Sequence, residues 1–244
     1  SKTQTFSVTV AQCYDFDMIV DSPMNGANPG SSTDFTITIS NTGNGDDTFT
    51  YVIMNGPATW NPSLATLETV VASGATGQNV LTVTVPVDAS SETVSGMIMV
   101  HAYSEICGED IANCDVESSI TVSVSANSVF DLTAGYFTNV AGVAKTNTSV
   151  EEGMSVQMKV NVTNNGNGID QITLSLDENA PSWITISDVP ILVGPGLTET
   201  VSITITAPAS GSLGDHTFQV TATSSDNTVT STTNDLTVTI TEKG

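Results

Sequence analysis

NTGNGDDTF, running from Asn41 to Phe49, returns further along the chain as NNGNGIDQI, Asn164 to Ile172. Both copies read G-x-G-x-D-x-apolar, a spacing that makes calcium-binding turns when nonapeptides follow one another in tandem. Such turns share ions between adjacent copies. Here the copies stand 123 positions apart, each alone. The motif is therefore expected to be a structural turn written twice. Asn41 and Asn164 can bond their own turn backbone, and Gly43, Gly45, Gly166 and Gly168 are expected to supply positive φ.

The surroundings of the motif repeat with it. FTITIS (Phe35–Ser40) matches MKVNVT (Met158–Thr163), and Trp60 returns as Trp183. NVLTVTVP ending at Pro86 matches VSITITAP ending at Pro208, and MIMVHAYS (Met97–Ser104) matches TFQVTATS (Thr217–Ser224). Each copy closes on an alternating stretch, ITVSV (Ile120–Val124) or LTVTI (Leu236–Ile240). Alternation with period two marks half-buried strands, and no window shows sustained helical periodicity. Short strands separated by turns every 8 to 12 residues are the pattern of an antiparallel sandwich. The fold class is all-β, with two tandem sandwiches expected over residues 13–126 and 127–244.

Residues 1–12 contain FSVTV (Phe6–Val10), which looks like a further copy of the closing stretch. A Phe-Asp pair then opens each unit, Phe16-Asp17 in the first and Phe130-Asp131 in the second. Residues 1–12 are thus expected to be an orphan β-strand, either the end of a preceding repeat or a strand donated to a neighbouring subunit. An unpaired strand exposes a row of backbone donors and acceptors, which favours pairing with another chain.

The turn NTGNGDD with PATW and TVTVP in the first unit, and NNGNGID with PSW, GPG and TITAP in the second, resemble two related kinds of immunoglobulin-like module. These are the cell-adhesion-related (CARDB-type) modules and the module appended to bacterial alpha-galactosidases. The resemblance spans nearly all of residues 14–242 and implies an immunoglobulin-like fold in an archaeal or bacterial surface protein. Its motifs are structural, so it implies no catalytic residues.

Composition bounds the partners. Lys and Arg number 4 against 26 Asp and Glu, a formal charge of −22. Such a surface repels phosphate and excludes nucleic acid or an anionic membrane as partner. No apolar run reaches the roughly 18 residues of a membrane span. Sequons at Asn147 and Asn161 are candidate glycosylation sites and fit an extracellular, cell-surface protein. The expected partners are copies of the chain itself or neighbouring immunoglobulin-like modules, with polysaccharide as the alternative.

Strand counting gathers Asp15, Asp17, Asp46, Asp47, Glu105, Glu109, Asp110, Asp115 and Glu117 at one pole of the first unit. Of these, Asp15, Asp17, Asp46, Asp47, Glu109 and Asp110 are the candidate ligands for Ca2+, a hard cation that takes carboxylate oxygens. The alternative is a solvated acidic loop. Cys107 and Cys114 flank CGEDIANC at the same pole and are the expected disulfide, with Cys13 as an alternative partner for either. Trp60 and Trp183 are expected to plug the ends of the two cores. His101 and His216 lie on or beside strands without a nucleophile or elbow motif, so no enzyme is expected. Lys159 lies on a strand, but its counterpart in the first unit is Thr36, which argues against a Lys-Asn isopeptide cross-link in each domain. The reading is a structural module of a surface layer, stalk or filament, with an adhesion or carbohydrate-binding accessory module as the alternative.

Overall fold

The computed structural model describes residues 2–10, 12–104, 116–187, 190–226 and 228–244. The chain divides into two compact units, Ser1–Asn127 and Ser128–Gly244. Apart from one turn of 3-10 helix at Ala58–Trp60, the regular structure among the described residues is strand.

Unit 1 holds β1 (Phe16–Val20), β2 (Met24–Ala27), β3 (Ser32–Asn41), β4 (Asp47–Asn55), β5 (Ser63–Leu64), β6 (Glu68–Val71), β7 (Thr76–Thr84), β8 (Ile98–Ser104) and β9 (Glu117–Ala126). They form two sheets, ordered β1-β3-β7-β5 and β2-β9-β8-β4-β6. The lone parallel pairing in them is β2 with β9, Met24–Ala27 beside Ser123–Ala126. The first and second strands of the unit thus lie in different sheets, and the chain closes by pairing its last strand with an early one. This is an immunoglobulin-like sandwich. Its core follows from parity. Phe35, Ile37 and Ile39 on β3 point inward together with Phe49 and Tyr51 on β4, Leu81 and Val83 on β7, and Val122 and Val124 on β9. Phe16 packs on Phe49 with ring centroids 4.6 Å apart. Burying one such ring stabilises the fold by about 1.5–3 kcal/mol.

Unit 2 repeats the plan with β10 (Leu132–Asn139), β11 (Asn147–Glu151), β12 (Ser155–Asn164), β13 (Asp170–Leu176), β14 (Ile184–Ile186), β15 (Ile191–Val193), β16 (Thr198–Thr206), β17 (Gly214–Phe218), β18 (Val220–Thr223), β19 (Thr230–Thr232) and β20 (Leu236–Thr241). One sheet is β10-β12-β16-β14. The opposite layer falls into two patches, β11-β20-β17 and β15-β13-β18-β19. The parallel closing pair recurs as Asn147–Glu151 beside Thr237–Thr241. Met158 and Ile172 stand where unit 1 has Phe35 and Phe49. The lost ring volume is supplied from elsewhere by Phe137 and Phe218, an edge-on pair 5.5 Å apart.

Strand register corrects one expected alignment. Phe16 faces Asn41, and Leu132 faces Asn164, so Leu132 is the counterpart of Phe16. The matching lead-in pairs are therefore Tyr14-Asp15 and Phe130-Asp131, and Phe16-Asp17 is not one of them. Unit 2 carries four more residues between β10 and β11 than unit 1 carries between β1 and β2, and β10 is itself three residues longer than β1. A bulge between Ala134 and Phe137 and a turn after Asn139 absorb them. The two Phe-Asp pairs look equivalent because FSVTV resembles ITVSV, which lies two residues out of the register that strand pairing sets.

Residues 2–10 form no strand and make no sheet pairing in this chain; Phe6, Val8 and Val10 are 81%, 86% and 78% exposed.

Candidate functional site

The repeated turn is a clamp on the segment that leads into each sandwich. Asn41 is buried at the end of β3, and its carboxamide is fully used. Nδ2 donates to the carbonyls of Gly45 and Val71, both at 2.9 Å, and Oδ1 accepts from the Gly43 amide at 3.0 Å. Asn164 repeats all three, donating to Gly168 and Val193 and accepting from Gly166 at 2.7, 2.8 and 2.8 Å. One side chain thus stitches its own turn to the neighbouring strand, β6 in unit 1 and β15 in unit 2.

The outer side of the same turn grips the lead-in chain. In unit 1 the Thr42 and Gly43 amides donate to the Asp15 carbonyl at 2.9 and 3.1 Å, and the Asn44 amide donates to the Cys13 carbonyl at 3.1 Å. The Cys13 amide answers by donating to Asn44 Oδ1 at 2.8 Å. In unit 2 the Asn165 amide bonds the Asp131 carbonyl at 2.8 Å, and the Asn167 amide bonds the Val129 carbonyl at 3.2 Å. The Val129 amide donates back to Asn167 Oδ1 at 2.7 Å.

The glycines serve this approach, which corrects the expectation of positive φ at Gly43, Gly45, Gly166 and Gly168. The positive-φ glycines lie elsewhere, as at Gly74 and Gly196 in the turns beside the clamp. A Cβ on Gly43 would stand 2.6 Å from the Cys13 carbonyl oxygen, and one on Gly166 would stand 2.3 Å from that of Val129. A Cβ on Gly45 would collide with the Gln12 side chain. At Gly43 and Gly166 glycine is required because the lead-in backbone lies where a side chain would be.

The motif's aspartates point inward. Asp47 accepts from the Ser104 hydroxyl at 2.6 Å and from the Thr48 amide at 2.7 Å. Asp170 accepts from the amide and hydroxyl of Ser225 at 3.0 and 2.7 Å. Each ties the start of the strand after the turn to the end of β8 or to the residues after β18. The signal was present in the sequence, since Asp47 shares parity with Phe49 and Tyr51, and Asp170 with Ile172 and Leu174.

Of the other proposed calcium ligands, Asp15 and Asp17 are exposed, and Asp46 Oδ1 accepts from the Ser73 amide at 3.1 Å. Glu109 and Asp110 lie outside the described residues, as do Glu105, Asp115, Cys107 and Cys114. Among the described residues, no group of three or more His, Cys, Asp or Glu is close enough to hold a metal ion. Cys13 is exposed beside the clamp. Both sequon asparagines are exposed, Asn147 at the start of β11 and Asn161 on β12, where its Oδ1 accepts from the Thr200 hydroxyl at 2.9 Å. Lys159 Nζ donates to the Val140 carbonyl at 3.5 Å.

The tryptophans are not equivalent. Trp60 is buried in the unit 1 core, as expected of a plug. Trp183 is only partly buried against the unit 2 core and stands edge-on to His216, with ring centroids 5.2 Å apart. His101 lies 3.2 Å from Glu117 and 3.0 Å from the Ser119 hydroxyl. A shallow, mostly apolar groove of about 600 Å³ runs beside β4, lined by Tyr51, Ile53, Leu64 and Leu67 among others. Burial raises the Tyr51 hydroxyl above its ordinary pKa, against a smaller opposing contribution from Thr69.

Strand order and the parallel closing pair define both units as immunoglobulin-like β-sandwiches. No protein-family model matches the chain, and no curated protein matches it, so the likeness to the CARDB-type and alpha-galactosidase-associated modules has no sequence match behind it. Among solved structures, the chain is similar to the titin domains z1z2 in complex with telethonin, at 16% identity over 97% of this chain and 100% of that one, TM-score 0.34. The D0-D1 domain of intimin matches at 13% identity over 91% and 97%, TM-score 0.30. A protein of unknown function from Porphyromonas gingivalis W83 matches at 10% identity over 91% and 98%, TM-score 0.34. Superpositions at these scores add nothing to the fold assignment, which rests on the strand pairings. No helix among the described residues is long and apolar enough to cross a membrane.

Proposed function

We propose that the chain is a tension-carrying structural module of an extracellular cell-surface assembly, a surface layer, stalk or filament. It works through contacts between neighbouring immunoglobulin-like modules and not through a reactive pocket. The observation that carries this reading is the parallel closing pair in each unit, β2 with β9 and β11 with β20. When the two ends of a sandwich are pulled apart, parallel strands slide past each other, so the bonds of the ladder are loaded together. An antiparallel terminal pair would instead open one bond at a time. The clamp adds to this by anchoring the lead-in segment just ahead of β1 and β10.

The acidic exterior suits an exposed, ion-rich setting in which counterions screen self-repulsion. The burial of Trp60 removes one of the two indoles that a sugar-binding reading would use.

Single-molecule stretching of the full chain between its termini tests it. Two separate unfolding events of similar extension are expected. Replacing Ser123 or Thr237 by proline, which removes the amide that each donates across the parallel pair to the Pro23 or Thr146 carbonyl, should lower the force of one event only. If both units extend without a resolvable force peak, or if neither proline changes one, the tension-carrying role is wrong.

A further inference from the structure

Phe6–Val10 has an assigned place in the repeat once register, rather than local likeness, sets the alignment. The clamp equates Cys13 with Val129 and Asp15 with Asp131, because the same turn amides bond the same backbone atoms. Counting back from there sets Phe6, Val8 and Val10 on Val122, Val124 and Ala126 of β9. Those three are 2%, 0% and 3% exposed. Strand pairing carries the comparison into unit 2. Val122 faces Ile98, and Leu236 faces Phe218, so the corresponding residues of β20 are Leu236, Val238 and Ile240. These are buried as fully as their β9 counterparts. The sequences FSVTV, VSVSA and LTVTI therefore align at one position of the repeat. In each, three apolar residues alternate with small hydroxyl residues, and the intervening Ser123, Ser125, Thr237 and Thr239 are half-exposed in the two paired strands.

We infer that Phe6–Val10 is the closing strand of a further immunoglobulin-like sandwich, one that lacks a closing strand of its own. The partner is identified by what the slot requires. On one side it offers an antiparallel strand equivalent to β8 or β17. On the other it offers a parallel strand equivalent to β2 or β11. Between them lie three apolar pockets spaced for Phe6, Val8 and Val10. An intact copy of this chain does not qualify, because β9 and β20 already fill that slot in both units, hydrogen-bonded on each side. The segment's exposure here is the state of a strand without its sheet, and its backbone donors and acceptors are the second half of the recognition. This inference names the partner surface for the structural reading above and rests on it.

The test supplies the missing sandwich. Residues 128–235, which end just before β20, are joined directly to Phe6 of the chain, so that Phe6–Val10 follows the strands it would complete. Calorimetry should then show a third unfolding transition beside the two of the parent chain. The Val8 amide should exchange with solvent at least about a thousandfold more slowly than in the parent, as expected for a core strand. A Phe6→Ser, Val8→Ser, Val10→Ser version should lose the third transition and keep the other two, which report that the rest of the chain is folded. A fusion carrying LTVTI in place of FSVTV is the reference for a competent acceptor. If that reference folds and the FSVTV fusion does not, the closing-strand assignment is overturned while the stretching test of the module reading is untouched. Light scattering of the parent chain supplies the second arm. A monomer is expected; multimers that vanish on Val8→Asp would mean that the segment displaces β9 or β20 in another copy, which also overturns the inference.

Discussion

Units 1 and 2 reach the same sandwich with differently continuous strands. In unit 1, β8 runs unbroken from Ile98 to Ser104 and pairs with both β4 and β9. In unit 2 its counterpart is cut at Gln219 into β17, which pairs with β20, and β18, which pairs with β13 and β19. The closing strand is cut as well, at Thr233–Asp235. Side chains cover the break, with the Thr233 hydroxyl accepting from the Val220 amide at 3.0 Å and Gln219 Nε2 donating to Asp235 at 2.8 Å. What both units keep is the clamp, the inward aspartate and the parallel closing pair. Sheet continuity can therefore vary, whereas the fastening of the chain at its points of entrance and exit is common to both.

Trp60→Ala should break the comparison most severely. It empties a buried site in unit 1 at a cost of about 3–5 kcal/mol. Trp183→Ala removes a half-exposed ring and should cost unit 2 well under half of that. Calorimetry of the two variants should show a large downward shift of one transition in the first and a small one in the second. Equal shifts would mean that Trp183 is as much a core residue as Trp60.

Asn41→Ala and Asn164→Ala should instead act alike. Each deletes three hydrogen bonds and leaves a strand carbonyl without its partner, costing the affected unit about 2–3 kcal/mol. A marked difference between the two would show that the clamp matters more in one sandwich than in the other. Gly43→Ala and Gly166→Ala push a methyl into the lead-in backbone and should cost about 1–3 kcal/mol. Their signature is faster exchange of the Cys13 or Val129 amide.

The smallest effect separates the units by pH. Tyr51 has a raised pKa in the folded state, and its place in unit 2 is taken by Leu174. A raised acid pKa means that its stabilising share is complete below the ordinary tyrosine value and is lost as pH rises through the folded value. Above about pH 10, unit 1 should therefore lose stability that Tyr51→Phe restores, while the unit 2 transition is unaffected by that substitution. If the substitution leaves the alkaline limb of unit 1 unchanged, the hydroxyl is not the group that titrates.

The sandwich class was legible because its two signals are local. Alternation along FTITIS and MKVNVT gives inward faces, and the Asn-Gly turns mark where the chain crosses between sheets. What could not be read depends on distant backbone. Gly43 and Gly166 owe their identity to Cys13 and Val129, which approach from outside the turn, and nothing in the motif distinguishes that from a need for positive φ. The matching of Phe16-Asp17 with Phe130-Asp131 failed because FSVTV resembles ITVSV two residues out of the register that the clamp sets, and local likeness cannot detect so small a slip. Trp60 and Trp183 share a sequence position yet differ in burial, because neighbours such as His216 belong to strands with their own spacing. The inward turn of Asp47, by contrast, is legible from its parity with Phe49 and Tyr51 on β4.

The parallel pairing of an early strand with the last one also bears on how such a chain grows. The last strand of each unit returns to that unit's own second strand, so a copied stretch of gene cut in the short connection between Ala126 and Leu132 carries every strand it needs. Duplication at that point adds a finished cassette. A cut anywhere else leaves two fragments that must find each other, and lengthening by whole units is the path of least disruption.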